Sequence, residues 1–433
     1  MSALITPQST IALIIIGAML VLFISEKLPM ATTSLLGCMA FAVFGIIPFS
    51  EAFSGFGNDI VFLIAGMVVV GNTLFETGVT QLLGRKIISI VGTNERTFII
   101  AIILVSVTLS IFLSNTATTA MMLPIVASSV AASGGKLTKK NTYMTVGIAC
   151  VTGGGLSLVS STPQLIAQAA LNEGGHEIMS FFEIGYTGLP IVILALVFFT
   201  TIGYKLQKRV FSFPEIAQNA PEPQTAQAEI PPPTKKVIIK MCVSVAILIF
   251  CIVGFLTELW SLGLVAMVGA AACVVTGCIS QKKVFEKMDW TTVIIMGCSF
   301  GIGNGLNKSG AGNLVAQGMI QLLGERISPW LLCAALALVT ILLTNFMSST
   351  ATASLMVPIA ALVAVEMGYD VKSVVMTIAI AANIGYATPI ATPPMTMTLS
   401  GGYRFMDYVK IGGLFNLLAY ILVIVLFPLV LKV

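Results

Sequence analysis

Apolar runs of about 16 to 20 residues recur along this chain from residue 10 to residue 431, and a run of that length can cross a bilayer as a helix. Each run is closed by Gly, Pro, Asn or a charged residue, which is how such helices end. Of the 433 residues, 57% are hydrophobic and only 9% charged, whereas about a quarter are charged in an ordinary soluble domain. Mean hydropathy is +1.01. The chain is therefore expected to be an all-α polytopic membrane protein solvated by the lipid bilayer, with no stretch between the runs large enough for a soluble enzyme domain. The net charge of +4 follows from lysines in loops, which fits membrane topology better than nucleic-acid binding.

Local features agree with this class. The run at 11–24 is followed by Glu26-Lys27 instead of a small-residue cleavage site, so it is expected to stay as a helix. The eight cysteines stand singly, without a CxxC pair. They are expected to be small packing residues, and with a lone His176 in the polar stretch NEGGHE they supply no zinc or iron ligand set. Trp260, Trp290 and Trp330 stand at the starts of apolar runs, where interfacial anchors belong.

The chain is also an internal duplication. VFLIAGMVVVGNTLFETG (61–78) matches VIIMGCSFGIGNGLNKSG (293–310), SNTATTAMMLPI (114–125) matches SSTATASLMVPI (348–359), and SSTPQLI (160–166) matches IATPPMT (390–396), in the same order. A Pro-, Gln- and Ala-rich stretch at 211–236 has the composition of a flexible linker. The expected division is 1–205, a first repeat with an N-terminal helix; 206–236, a linker; and 237–433, a second repeat.

Basic residues set the orientation. Spans are placed at 10–25, 30–48, 60–78, 142–172 and 186–203, with counterparts at 237–256, 260–279, 290–307, 374–403 and 412–430. Residues 97–132 and 329–365 are taken as hairpins that enter and leave on one side. With the linker cytoplasmic, only Lys308, Arg326, Lys372 and Lys432 of the 22 Lys and Arg residues fall outside. The two halves then have opposite topology, the inverted repeat expected of a secondary transporter.

Polar residues at the hairpin tips carry the functional signal. Arms of about 16 residues rise about 24 Å, which sets Ser114-Asn115-Thr116 and Ser348-Ser349-Thr350 deep in the membrane. Backbone of that kind is tolerated at depth only where protein, water or a bound species satisfies it. Gly153-Gly154-Gly155 with Thr162-Pro163, and Gly385 with Thr388-Pro389 and Thr392-Pro393-Pro394, would break two further helices. Helix N-termini favour an oxyanion, while freed carbonyls and serine hydroxyls suit a small cation such as sodium. Glu76, matched by Lys308, is expected to snorkel to an interface and not to carry a proton.

LSNTATTAMMLPI (113–125), MSSTATASLMVPI (347–359), and the STPQ and ATPPM segments together resemble the divalent anion/sodium symporter family, which includes the INDY-type di- and tricarboxylate and sulfate carriers. The resemblance spans about residues 30–431 and preserves the order of all four motifs. It implies an INDY-like elevator transporter fold of two inverted-topology repeats, each with a re-entrant hairpin and a broken transmembrane helix. It implies a homodimer in the cell inner (cytoplasmic) membrane, with a fixed scaffold and a moving transport domain, no enzymatic activity and no cofactor beyond Na+ as coupling ion.

The implied substrate residues are Ser114, Asn115, Thr116, Thr162, Pro163, Ser348, Ser349, Thr350, Thr392 and Pro393. The implied cation residues are Ser114, Asn115, Ser160, Ser161, Ser348, Thr388 and Ala391. The cargo would be a small divalent anion, foremost a C4-type dicarboxylate such as succinate, malate or fumarate, carried by sodium symport. Sodium-independent exchange, or transport of sulfate or a tricarboxylate such as citrate, are the alternatives. Three departures bear on that choice: Ser349 where the family commonly has asparagine, Gln164-Leu165 and Met395 where asparagine often follows the prolines, and Ser161 in place of a usual glycine. A proton antiporter or arsenite carrier would need titratable groups where this chain has Ser, Thr and Asn.

Overall fold

A computed structural model of the chain describes residues 6–25, 27–79, 82, 94–133, 135–211, 235–257, 259–312, 314, 317–318 and 328–430. Most of the expected linker, residues 212–234, and the basic residues Arg85, Lys86, Arg326 and Lys432 lie outside the described residues. The described residues contain helices and no strand.

The first half comprises α1 (Pro7–Ser25), α2 (Met30–Val43), α3 (Phe49–Ala52), α4 (Asp59–Thr77), α5 (Glu95–Ser110), α6 (Asn115–Ala132), α7 (Lys139–Gly154), α8 (Thr162–Glu173), α9 (Gly185–Thr200) and α10 (Ile202–Val210). The second comprises α11 (Lys235–Thr257), α12 (Leu262–Val275), α13 (Gln281–Lys287), α14 (Trp290–Lys308), α15 (Pro329–Phe346), α16 (Ser349–Met367), α17 (Val371–Asn383), α18 (Pro393–Met397) and α19 (Phe405–Val430). The halves match element for element through α8 and α18. They part at the last span, where α9 and α10 meet at a 53° bend and α19 runs on unbroken.

Helix starts repeat with the same physics. Asn58, Asn94 and Ser114 cap α4, α5 and α6 by accepting a backbone N–H, and Asp289, Ser328 and Ser348 cap α14, α15 and α16. Each such cap contributes about 1 kcal/mol by satisfying an amide that the helix leaves free. Among the described residues five helices, α4, α11, α15, α16 and α19, are long and apolar enough to cross a membrane. In its most apolar stretch α4 is 67% buried, whereas α11 is 17% buried, so α4 is an interior helix and α11 lies on the outside of the chain.

The repeats interlock. In one group of helices α4 packs on α12 and α14 packs on α2, so each repeat's fourth helix lies against the other repeat's second. Close approach is possible because Gly66 has no side chain; a Cβ there would come 2.5 Å from the Ala266 backbone. Ion pairs repeat with exchanged sign: Glu76 at the end of α4 pairs with Lys283 and Lys287 of α13, and Lys308 at the end of α14 pairs with Glu51 of α3 at 2.7 Å. Held between two lysines, Glu76 has a structural partner on the other repeat.

A second group is built from the hairpins and broken helices. Here α5 and α6 pack on α7, α15 and α16 pack on α17, and α8 joins the halves by touching α16 and α17. The outer helices α9, α10 and α19 lie against this group. At its basic end Glu95 ties α5 to α7 and α10. One carboxylate oxygen accepts from Asn141 (2.9 Å) and Thr138 (3.1 Å), and the other accepts from the Tyr204 hydroxyl (2.7 Å) and faces Lys208 at 3.3 Å.

Burial pushes the Glu95 pKa up, but hydrogen bonds from Tyr204, Asn141 and Thr138 and the charge of Lys208 outweigh it and hold the carboxyl below its usual value of 4.5. A depressed folded pKa stabilises above the unfolded value, and that stability is lost as pH falls below 4.5 through the folded pKa. In detergent, Glu95→Gln is therefore expected to unfold at lower temperature than wild type at pH 7, by about 1–3 kcal/mol of stability. The gap should narrow as pH is lowered below 4.5; a constant gap would show that the charge of Glu95 is not what binds these helices.

Candidate functional site

Each hairpin turns just before a serine. Ser114 and Ser348 adopt extended backbone and accept from the N–H groups of Ala117 (3.3 Å) and Ala351 (3.2 Å), so α6 and α16 start at the tips. The broken helices supply the complement. α7 runs through Gly153 and Gly154 and stops, leaving 155–161 non-helical before α8; α17 stops at Asn383, leaving 384–392 before α18.

Hydroxyls fasten each tip to its neighbouring break in a repeated pattern. The Ser110 hydroxyl reaches the Cys150 carbonyl at 2.7 Å, and the matching Thr344 hydroxyl donates to the matching Ala382 carbonyl at 2.8 Å. The Ile111 carbonyl, in the first turn, lies 2.5 Å from the hydroxyls of both Ser157 and Ser160. Its counterpart, the Asn345 carbonyl, accepts from Thr388 at 2.7 Å. Asn345 also locks the second break from inside: its amide oxygen accepts from Ala387 N–H and from Asn416, and its NH2 donates to the Ile341 and Ile384 carbonyls. A buried backbone group costs about 1–3 kcal/mol when left unpaired, so these contacts make the breaks affordable.

Asn115 is positioned by a glycine. Its Oδ1 lies 2.8 Å from the Ser110 hydroxyl, and its amide rests over Gly154, where a Cβ would come within 2.1 Å of Oδ1. Gly153 has a different task, since a Cβ there would meet the Val107 backbone at 2.6 Å. The triple glycine thus serves helix packing and tip placement together.

The two tips and the two breaks line one cavity of about 780 Å3. Of the expected substrate residues, Ser114, Asn115, Thr116, Thr162, Ser348, Ser349, Thr350, Thr392 and Pro393 form its wall. Pro163 is buried behind it, in the first turn of α8. Of the expected cation residues, Ser114, Asn115, Ser160, Ser161 and Ser348 line the cavity. Thr388 and Ala391 lie behind the second tip, where the Ala391 carbonyl accepts from Ser349 N–H at 3.0 Å. α6, α8 and α16 all present their N-termini here, each a partial positive charge of about half a unit. The Thr392 hydroxyl is buried with no protein partner among the described residues.

Three wall features had no signal in motif reading. Met30, at the start of α2, receives the Ser348 hydroxyl on its sulfur at 3.0 Å, and Lys287 and Asp289 of the interlocked group close one end. Asn383 lines the cavity beside the tips, and only the alignment of α7 with α17 singles it out. A smaller cavity of about 310 Å3, lined by Glu173, His176 and Asn307 among others, lies between α8 and α14. Among the described residues no group of His, Cys, Asp and Glu gathers as a metal site.

Known proteins share this architecture and sequence. The sequence profile described as "Citrate transporter" matches residues 20–375. An uncharacterized transporter of Haemophilus influenzae is 29% identical over 433 residues, covering 96% of this chain and 91% of that protein. A protein of Staphylococcus saprophyticus named sodium-dependent dicarboxylate transporter SdcS is 23% identical, covering 93% of this chain and 82% of its own. The crystal structure of the Alcanivorax borkumensis YdaH transporter superposes with a TM-score of 0.64 at 13% identity, over 88% of this chain and 86% of that one. The chain therefore belongs to the citrate transporter family of membrane carriers, of the divalent anion/sodium symporter type that its hairpin motifs resemble.

Proposed function

We propose that the protein is a secondary carrier of a divalent organic anion, foremost a C4-type dicarboxylate, driven by sodium through an elevator movement. The observation that carries this reading is the convergence of two serine-capped hairpin tips and two broken helices on one cavity. Its wall offers amides, hydroxyls and helix N-termini, and a carboxylate at each end of a short dicarboxylate would meet one tip. The tips themselves contribute no charged side chain, so the anion is held by partial charges and hydrogen bonds and can leave again. A volume of about 780 Å3 accommodates such a ligand with water.

Sodium fits the same frame as cargo. The Ile111 carbonyl with the Ser157 and Ser160 hydroxyls, and the Asn345 carbonyl with Thr388, are clusters of neutral oxygens of the kind that replace a hard cation's hydration. Bound there, sodium would offset the charge of the anion beside it. The interlocked group would be the scaffold and the hairpin group the moving part, in a homodimer in the cytoplasmic membrane with residues 206–236 on the inner side. On that orientation the end of the cavity lined by Lys287 and Asp289 is the inner one.

A second reading, tricarboxylate transport, is favoured by the name of the family profile. Uptake separates the two. Purified protein in liposomes is expected to accumulate labelled succinate in sodium but not in potassium, without internal anion, and with weaker competition from citrate or sulfate than from malate or fumarate. Uptake only against internal dicarboxylate would establish exchange instead. Failure with succinate, malate and fumarate in every condition would sink the leading reading.

Variants at the first tip test the site itself. Asn115→Ala removes a hydrogen bond to a charged group, worth about 1.5–3 kcal/mol, and should lower transport efficiency by roughly ten- to a hundredfold at wild-type expression. Gly154→Ala should do nearly the same without touching any ligand, because its methyl displaces the Asn115 amide. Unchanged transport by either protein would remove Asn115 from the site.

A further inference from the structure

The two halves of the cavity are not equal at the tips. Asn115 on the first hairpin aligns with Ser349 on the second, so an amide is missing from the second tip. The broken helices are unequal in the opposite sense. TVGIACV (145–151) aligns with TIAIAAN (377–383), which pairs Val151, buried in the apolar core, with Asn383. The hydrogen bonds support this register, because Ser110 to Cys150 and Thr344 to Ala382 fall on matching positions. Among the hairpin and broken-helix residues that line the cavity, each half thus carries one amide, Asn115 on the hairpin in the first and Asn383 on the broken helix in the second.

Asn383 is built like a recognition group. It is 5% exposed and lines the same cavity as Asn115. One N–H of its amide donates to the Ala379 carbonyl at 3.1 Å, and a carbonyl can only accept, so the NH2 is fixed on that side. Oδ1 then faces Ser161, whose hydroxyl donates to it at 2.6 Å from the opposite repeat. Asn115 also has a serine hydroxyl beside its Oδ1, that of Ser110 at 2.8 Å, which lies as near to the Cys150 carbonyl. The second N–H of Asn383 has no protein partner among the described residues.

Ser161 stands out for the same reason. It is one of the residues in which this chain differs from the pattern of the family it resembles, as is Ser349. The two departures meet at Asn383: one removes the second tip's amide, and the other supplies the hydroxyl that orients its replacement.

We propose that Asn383 is a specificity-determining residue for the anion, donating its remaining amide N–H to the carboxylate that the second hairpin tip receives, with Ser161 as its positioning residue. This rests on the reading of the cavity as a dicarboxylate site. It explains how a tip with serine in place of asparagine still offers an amide to the second carboxylate. It also makes the recognition of one end of the ligand depend on a contact between repeats, since Asn383 is oriented by α8's N-cap residue.

The test compares succinate uptake by wild type, Asn383→Val, Ser161→Ala and the double variant Asn383→Val/Ser349→Asn in liposomes, with unfolding temperature measured on each. Valine is the residue at the matching position of the first repeat. Asn383→Val is expected to raise the half-saturation concentration by about ten- to a hundredfold, the range for a lost hydrogen bond to a charged group, with maximal rate and unfolding temperature near wild type. Ser161→Ala should raise it less, and Ser349→Asn in the Asn383→Val background should recover part of the loss by returning the amide to the tip. An unchanged half-saturation concentration in Asn383→Val overturns the proposal, and so does a fall in maximal rate and unfolding temperature at constant half-saturation, which would make Asn383 purely structural. Wild type that takes up none of succinate, citrate or sulfate overturns the reading of the cavity and this proposal with it; uptake by wild type that Asn383→Val matches overturns this proposal alone.

Discussion

Everything in this protein depends on how backbone carbonyls are satisfied where helices stop inside an apolar body. A continuous membrane helix has no such difficulty, because its polar groups pair within the segment. This chain interrupts helices at four places in its interior and repairs each interruption with a short hydroxyl or amide. The carbonyl of Ile111 takes Ser157 and Ser160, and that of Asn345 takes Thr388. Without those partners the tips would carry buried unpaired acceptors, and the helix N-termini that face the cavity would not be held there.

Duplication makes the repair economical. One solution, a capped hairpin leaning on a broken helix, is used twice, and the two copies meet because α8 packs on α16 and α17. The remaining helices bind the halves differently, by interlocking α4 with α12 and α14 with α2. The sign-exchanged ion pairs of Glu76 and Lys308 sit at the ends of those interlocked helices. A structure in two groups, each made from both repeats, is what a carrier needs if one group is to move against the other around a shared site.

Much of the fold was legible from pattern. Apolar runs gave the helices, and the matched blocks at 61–78 and 293–310 gave the duplication, since close similarity over such a length in the same order demands equivalent elements. The tips were legible because Ser-Asn-Thr and Ser-Ser-Thr are conspicuous in apolar surroundings. Other features were not. The span placed at 186–203 divides into α9 and α10 at a 53° bend, where Gly203 lies so close to Phe198 that a Cβ would come 2.8 Å from its carbonyl oxygen, a contact that no local pattern announces. The roles of Gly153 and Gly154 could not be separated by sequence, because they differ only in which neighbour lies against them. Thr388 and Ala391 share the motif neighbourhood of Thr392, yet they lie behind the tip while Thr392 lines the cavity. A broken segment has no fixed periodicity from which its facing could be read.

The sequence by itself determined that this chain lives in a membrane, that it is two copies of one design, and which short polar segments interrupt its helices. Those properties follow from composition, length and local chemistry, which are set residue by residue. Only the tertiary structure decided that the four interruptions share one cavity, that Ser161 of one repeat orients Asn383 of the other, and that Glu76 is held by Lys283 and Lys287. These are contacts between residues about two hundred positions apart, and they exist because of how the two repeats interlock, which is a property of packing and not of any local pattern.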